Sequence, residues 1–119
     1  MSSIRALTLF LDDVSTAAES IASVLNWEVT SDFGTFASIE PQTGMPLWLN
    51  VPDDNEATSS GILVHLIAED VDEAFELAIL RGAVPVRPPA DMDYGERSAW
   101  VRIEGVPGIT FDFSKPLAT

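Results

Sequence analysis

The chain repeats its own pattern, and that repetition limits the possible folds more than any single motif does. Leu7, Leu9 and Leu11 alternate with Ala6, Thr8 and Phe10, the period-two signature of a strand with two unlike faces. A strand is therefore expected from about Ile4 to Leu11. After Asp12 and Asp13 the apolar spacing changes to Val14, Ala17, Ala18, Ile21, Ala22 and Leu25, which puts one stripe along a helix. Asp13 suits the N-cap, where a carboxylate accepts from the free amides of the first turn. The same organisation returns 57 positions later: Val64, Leu66 and Ala68 alternate with Leu63, His65 and Ile67, and Val71, Ala74, Phe75 and Ala78 follow at helical spacing. Asp70 and Glu73 stand at capping-box spacing, and Gly82 suits the position just past the helix end.

Strand-like pieces after each helix repeat with an offset of 64: TFASIE (35–40) matches AWVRIE (99–104), and MPLWLN (45–50) matches ITFDFS (109–114). The turns PQTG and GVPG sit where hairpins close. The longer offset implies extra residues in the second half, and RPPADMDYGE (87–96) is expected to be a loop that holds them and covers one edge of a pocket. PDDNEATSS (52–60) is polar and turn-rich and reads as a linker. The expected fold is α+β: a single domain over 1–119 built from two βαβββ modules, about 1–52 and 61–116, forming a concave half-barrel sheet with the helices on its outer face.

A helix-covered sheet buries one face, and the uniformly apolar positions belong there: Leu7, Leu9, Leu11, Ala37, Ile39, Leu47, Leu49, Val64, Leu66, Val101, Ile103, Phe111 and Phe113. The alternate positions mix aromatic and isolated polar side chains. Thr8, Phe36, Trp48, Asn50, His65, Trp100, Arg102 and Asp112 are the candidate ligand-binding set, since aromatic walls supply buried area and a few polar atoms fix orientation. Trp48 and Trp100 suit stacking on a flat or cationic ligand, Asp112 suits a positive charge, and His65, the only histidine, suits a hydrogen-bonding contact or a general base. Each has a plainer role available as packing or pairing within the sheet. Trp27 falls outside this set. The same face could instead meet a second chain or solvent.

Composition removes several classes of function. Six basic against nineteen acidic residues give a formal charge of -13, which repels phosphate backbones, so no nucleic-acid partner is expected. The absence of Cys excludes disulfides and thiolate chemistry. No apolar run is long enough to span a bilayer and no leader pattern is present, so the expectation is a cytoplasmic protein without a membrane partner. Glycine-rich phosphate loops and a serine with a base and an orienting acid are also missing from the pattern.

LTLFLDDV, LVHLIAEDVDEAFELAILRGA and above all DMDYGERSAWVRIEGVPGITFDFSKP resemble the glyoxalase, bleomycin-resistance and dioxygenase superfamily, the vicinal oxygen chelate fold, over nearly the whole chain. Metal-dependent members carry a His or Glu on the first and last strands of each half. Those positions fall here on Ala6, Trp48, Leu63 and Asp112, of which only Asp112 could ligate, while a divalent catalytic ion needs about three protein ligands. GVPG also replaces the acidic turn common in relatives. The resemblance thus implies a small-molecule-binding protein without metal or other cofactor, similar to the antibiotic-sequestering branch and holding a hydrophobic or cationic ligand. It also implies a homodimer. The alternatives are a divergent enzyme of lyase or isomerase type using His65 and Asp112, and a regulatory or interaction domain.

Overall fold

The computed structural model describes residues 1–118. Module one runs β1 (Leu7–Phe10), α1 (Val14–Leu25), β2 (Glu28–Asp32), β3 (Phe36–Glu40) and β4 (Leu47–Asn50); module two runs β5 (Ile62–Ile67), α2 (Val71–Leu80), β6 (Val84–Asp91), β7 (Glu96–Arg102) and β8 (Ile109–Pro116). Each module makes its own open four-stranded sheet, in the orders β1-β4-β3-β2 and β5-β8-β7-β6. The first strand of each lies parallel to the last, and the other pairings are antiparallel. Two βαβββ units are thereby confirmed.

Both helix starts follow from their aspartates. Asp13 accepts from the Thr16 amide at 3.1 Å and Asp70 from the Glu73 amide at 3.0 Å. Both ends turn through a left-handed residue, Asn26 in α1 and Gly82 after α2, with Trp27 N–H reaching Ala22 O and Ala83 N–H reaching Ala78 O. Asn serves in the first because its short amide tolerates that conformation better than other side chains do.

Each helix lies across its own sheet away from the first strand, α1 on β2, β3 and β4 and α2 on β6, β7 and β8. Leu9, Leu49, Ile39, Ile21, Val101 and Phe111 are among the core residues fully buried between these layers. β1 and β5 are edge strands. In β1 the Phe10 amide and carbonyl are taken by Ser59 of the linker, at 2.8 and 2.7 Å.

Three expectations need correction. β1 begins at Leu7 and not at Ile4, and Leu7 is exposed, because no helix covers the first residue of this edge strand. Residues 87–96 are not a loop: β6 continues to Asp91, and only a short turn separates it from β7. The pairing is bulged between Arg87 and Ala90, with Pro88 and Pro89 in the bulge; prolines are tolerated there because β6 is an edge and needs no second ladder. Finally, Val64 and Leu66 are only partly buried.

Candidate functional site

The far face of each sheet, opposite the helices, carries the residues expected to bind a ligand, and they fall into two groups. On the first sheet Thr8 and Trp48 are directly paired across β1 and β4, and Asn50 pairs with Phe36 across β4 and β3. Phe36 meets Trp48 edge to face with ring centres 5.8 Å apart, Phe33 stacks on Phe36 at 6.4 Å, and the Arg5 guanidinium lies 5.1 Å from the centre of the Trp48 ring. This is an aromatic platform with a cation resting on it.

On the second sheet one row crosses four strands: His65 on β5, Asp112 on β8, Trp100 on β7 and Arg87 on β6 are successive partners. Asp112 is buried, and its two carboxylate oxygens have separate partners. Oδ2 lies 2.6 Å from His65 Nδ1, and Oδ1 accepts from the Ser98 hydroxyl at 2.5 Å. Arg87 Nη2 in turn donates to Ser98 Oγ at 2.8 Å, while its guanidinium stacks 3.9 Å from the Trp100 ring centre. Arg87 Nε and Trp100 Nε1 are buried without a hydrogen-bond partner among the described residues. The His65 side chain is 66% exposed against 3% for Asp112, so a sheltered carboxylate holds a solvent-facing imidazole.

Arg102 is exposed on β7 and takes no part in this network. Arg97, near the start of β7, anchors structure instead. It donates to both oxygens of Asp72 at 2.7 and 2.8 Å and to Asp91 at 2.9 Å, tying the β6–β7 hairpin to the first turn of α2. Its hydrogen bond to Asp72, then that to Asp91, pushes the Arg97 guanidinium above its ordinary pKa, and the same bond holds the Asp72 carboxyl below its own.

The two groups lie on different sheets, whose strands neither pair nor pack on one another among the described residues. A recess of about 720 Å³ lies between the modules and takes in one residue of the second group, His65. Its walls include Val64, Leu66 and Phe113 of the second sheet, Ala74 and Leu77 of α2, and Trp27 with Met45 from module one. His65 and Ile67 line it too. Since Val64 and Leu66 point to one face of β5 and His65 and Ile67 to the other, the recess wraps round the free edge of that strand. Its volume is in the range of small-molecule sites.

Ser98, Arg87 and Trp27 are the site residues that sequence reasoning missed. Arg87 was hidden in a stretch read as loop, and Ser98 becomes legible only once β7 is in register with β8. Trp27 looked remote because it follows α1, yet the helix end brings it to the recess. The serine bonds to the aspartate and not to the histidine, so it is not placed as a nucleophile activated by His65. A metal centre on the superfamily pattern does not fit these residues: Ala6, Trp48 and Leu63 offer no ligand atom, both oxygens of Asp112 are engaged, and no group of three His, Asp or Glu side chains converges among the described residues.

No protein-family model matches the chain, and no curated protein matches it. Solved structures do. A protein described only as a conserved domain protein superposes with a TM-score of 0.82 at 21% identity, over 97% of this chain and 99% of its own. A glyoxalase/bleomycin resistance protein/dioxygenase from Nocardioides gives 0.80 at 21% identity, over 98% and 85%. A member of the glyoxalase/bleomycin resistance protein/dioxygenase superfamily from Sphaerobacter thermophilus DSM 20745 gives 0.76 at 20% identity, over 96% and 97%.

Proposed function

We propose that this chain, which has the fold of the glyoxalase/bleomycin resistance protein/dioxygenase superfamily, is a small-molecule-binding protein for a predominantly hydrophobic ligand. The observation that carries this reading is the recess round β5, where an apolar wall from Val64, Leu66 and Leu77 stands among polar side chains, Glu69, Asp70, Glu73 and Arg81, and reaches round the strand edge to His65, which Asp112 holds in place. Such a wall supplies buried area, and a few polar groups supply orientation. Bound aromatic compounds should quench or shift tryptophan emission, and Trp27→Phe should remove most of that signal because Trp27 stands in the wall. A screen of hydrophobic aromatics that leaves the emission of the native chain unchanged would remove the reading.

The binding protein is a homodimer in this proposal. The outward backbone groups of Leu63, His65 and Ile67 on β5 have no strand partner, and Ile67 is 95% exposed on that edge. An edge of this kind invites pairing with another chain. A second copy seated along this edge would form the outer wall of the recess round β5 and bring further side chains to a ligand held there. Light scattering at high micromolar concentration should give twice the chain mass; a monomer mass would refute the dimer.

A further inference from the structure

We infer that His65 is a dedicated hydrogen-bond acceptor, and that the site it serves selects molecules with an apolar ring and an acidic hydroxyl, that is, phenols. The inference deepens the proposed binding function and rests on it. Its basis is the direction of the hydrogen-bond chain across the second sheet. An arginine guanidinium can only donate, so Ser98 Oγ must accept from Arg87 at 2.8 Å. The hydroxyl hydrogen of Ser98 is then free to point only at Asp112 Oδ1, 2.5 Å away. Asp112 accepts there as a carboxylate, and at Oδ2 it faces His65 Nδ1 at 2.6 Å. That contact needs a proton, and the imidazole supplies it from Nδ1. A neutral imidazole with its proton on Nδ1 has a lone pair on Nε2, on the ring edge turned away from Asp112 and out of the protein.

A surface histidine in water exchanges between tautomers and offers either a donor or an acceptor. Here four side chains on four strands fix the choice, and the end that decides it is a guanidinium, which cannot change role. A ligand that places an N–H or O–H on Nε2 is therefore accepted, and one that places a carbonyl there is opposed by two facing lone pairs. Two further observations narrow the donor to a phenol. On the face of β5 that carries His65 its neighbours Leu63 and Ile67 are apolar, and the exposed Ile67 lines the recess with it, which favours a ring over a sugar-like polyol. An O–H more acidic than an alcohol strengthens the bond, because any positive charge that passes to the imidazole is balanced by Asp112 one bond away.

Two measurements test this. The chain has one histidine, so every imidazole resonance in its NMR spectrum belongs to His65. At a pH where the ring is neutral, the nitrogen shifts should show a protonated Nδ1 and a bare Nε2, and Ser98→Ala or Asp112→Asn should return the ring towards the tautomer mixture of a free peptide. A bare Nδ1 in the native protein would overturn the inference. For ligand choice the probes are p-cresol, which stays protonated at neutral pH, and its methyl ether p-methylanisole, which has nearly the same shape and no proton to give. The phenol should bind about tenfold more tightly than the ether, a difference of one hydrogen bond of about 1.4 kcal/mol, and His65→Phe should abolish that preference. Equal affinities for the two would sink the inference while ligand binding stands. If neither binds, both readings fall together.

Discussion

The two modules are written on one pattern, yet module one is sealed and module two is open. α1 buries Val14, Ala17, Ala18, Ile21 and Val24, whereas α2 fully buries only Val71 and Ala78. Leu9 and Leu66 are repeat mates 57 positions apart; Leu9 is wholly buried and Leu66 half-buried. The cause lies in neither helix nor strand but in the turn each module receives from the other. The β7–β8 turn packs against α1, close enough that a Cβ on Gly105 would lie 3.3 Å from the Thr16 methyl, and its Val106 and Ile109 are buried. At the mate positions of the β3–β4 turn stand Gln42 and Met45, both exposed, and there the recess opens. A duplicated topology thus leaves the choice between core and cavity to two turn residues.

The largest expected contrast is between those leucines. Leu9→Ala should cost about 3–5 kcal/mol, the range for a leucine deleted from a closed core, and Leu66→Ala only about 1–2 kcal/mol, since part of its surface is already in water. Urea denaturation of both variants measures this, and equal losses would break the distinction between a sealed and an open module. A ligand that fills the recess should in addition stabilise the native chain more than Leu66→Ala.

A smaller contrast concerns Gly44 and Gly108, mates at an offset of 64. Both have positive φ, +107° and +80°, so alanine is strained at either, by about 1–2 kcal/mol. Only at Gly108 would the new Cβ also meet backbone, at 2.8 Å from Ser59 O and 2.9 Å from Ser60 Cα; at Gly44 the nearest atom is a proline side-chain carbon at 3.8 Å. Gly108→Ala should therefore cost about 3 kcal/mol and clearly exceed Gly44→Ala. Thermal melts showing the reverse order would mean that the linker yields more easily than its position implies.

The smallest contrast separates the ties from each helix to its hairpin. In module one Ser15 donates to Asp32 at 2.9 Å; its mate 57 positions on is Asp72, which is held by Arg97 instead. The hydrogen bond from Arg97 lowers the folded-state pKa of Asp72 below the ordinary 3.8. A lowered carboxylate pKa contributes stability that is complete above the unfolded value and is lost as pH falls through the folded one. Stability should thus decline below pH about 4 with a component that Asp72→Asn lacks, and high salt should weaken the tie at neutral pH. NMR titration of the Asp72 carboxyl checks the sign: a midpoint above the ordinary value would contradict it.

Much of this was legible in the residues and some was not, for physical reasons. Period-two and helical spacing located both modules, and Asp13, Asp70 and Gly82 marked helix ends because capping is local chemistry. Residues 87–96 read as a loop because the longer offset of the second half needs a place for its extra residues, and an edge strand takes some of them in a bulge instead. The separation of Trp48 from Trp100 was not legible, since alternation tells which face a side chain takes but not how two sheets stand to each other. The Arg87–Ser98–Asp112–His65 row joins residues from four strands, and its order depends on a bulged register that no spacing in the sequence discloses.

The linker offers a different kind of lesson, about where the chain could be cut or extended. By composition all of residues 52–60 invite insertion. Yet Ser59 completes the hydrogen bonding of Phe10, and the Ser59–Ser60 backbone lies against Gly108, so the last two residues act as a clasp, while Asp53 and Glu56 close a local turn on themselves and Ala57 and Thr58 stand exposed between the two. A tag or a second domain threaded in after Ala57 lengthens a tether, whereas the same insertion after Ser59 pulls the seam between the modules apart.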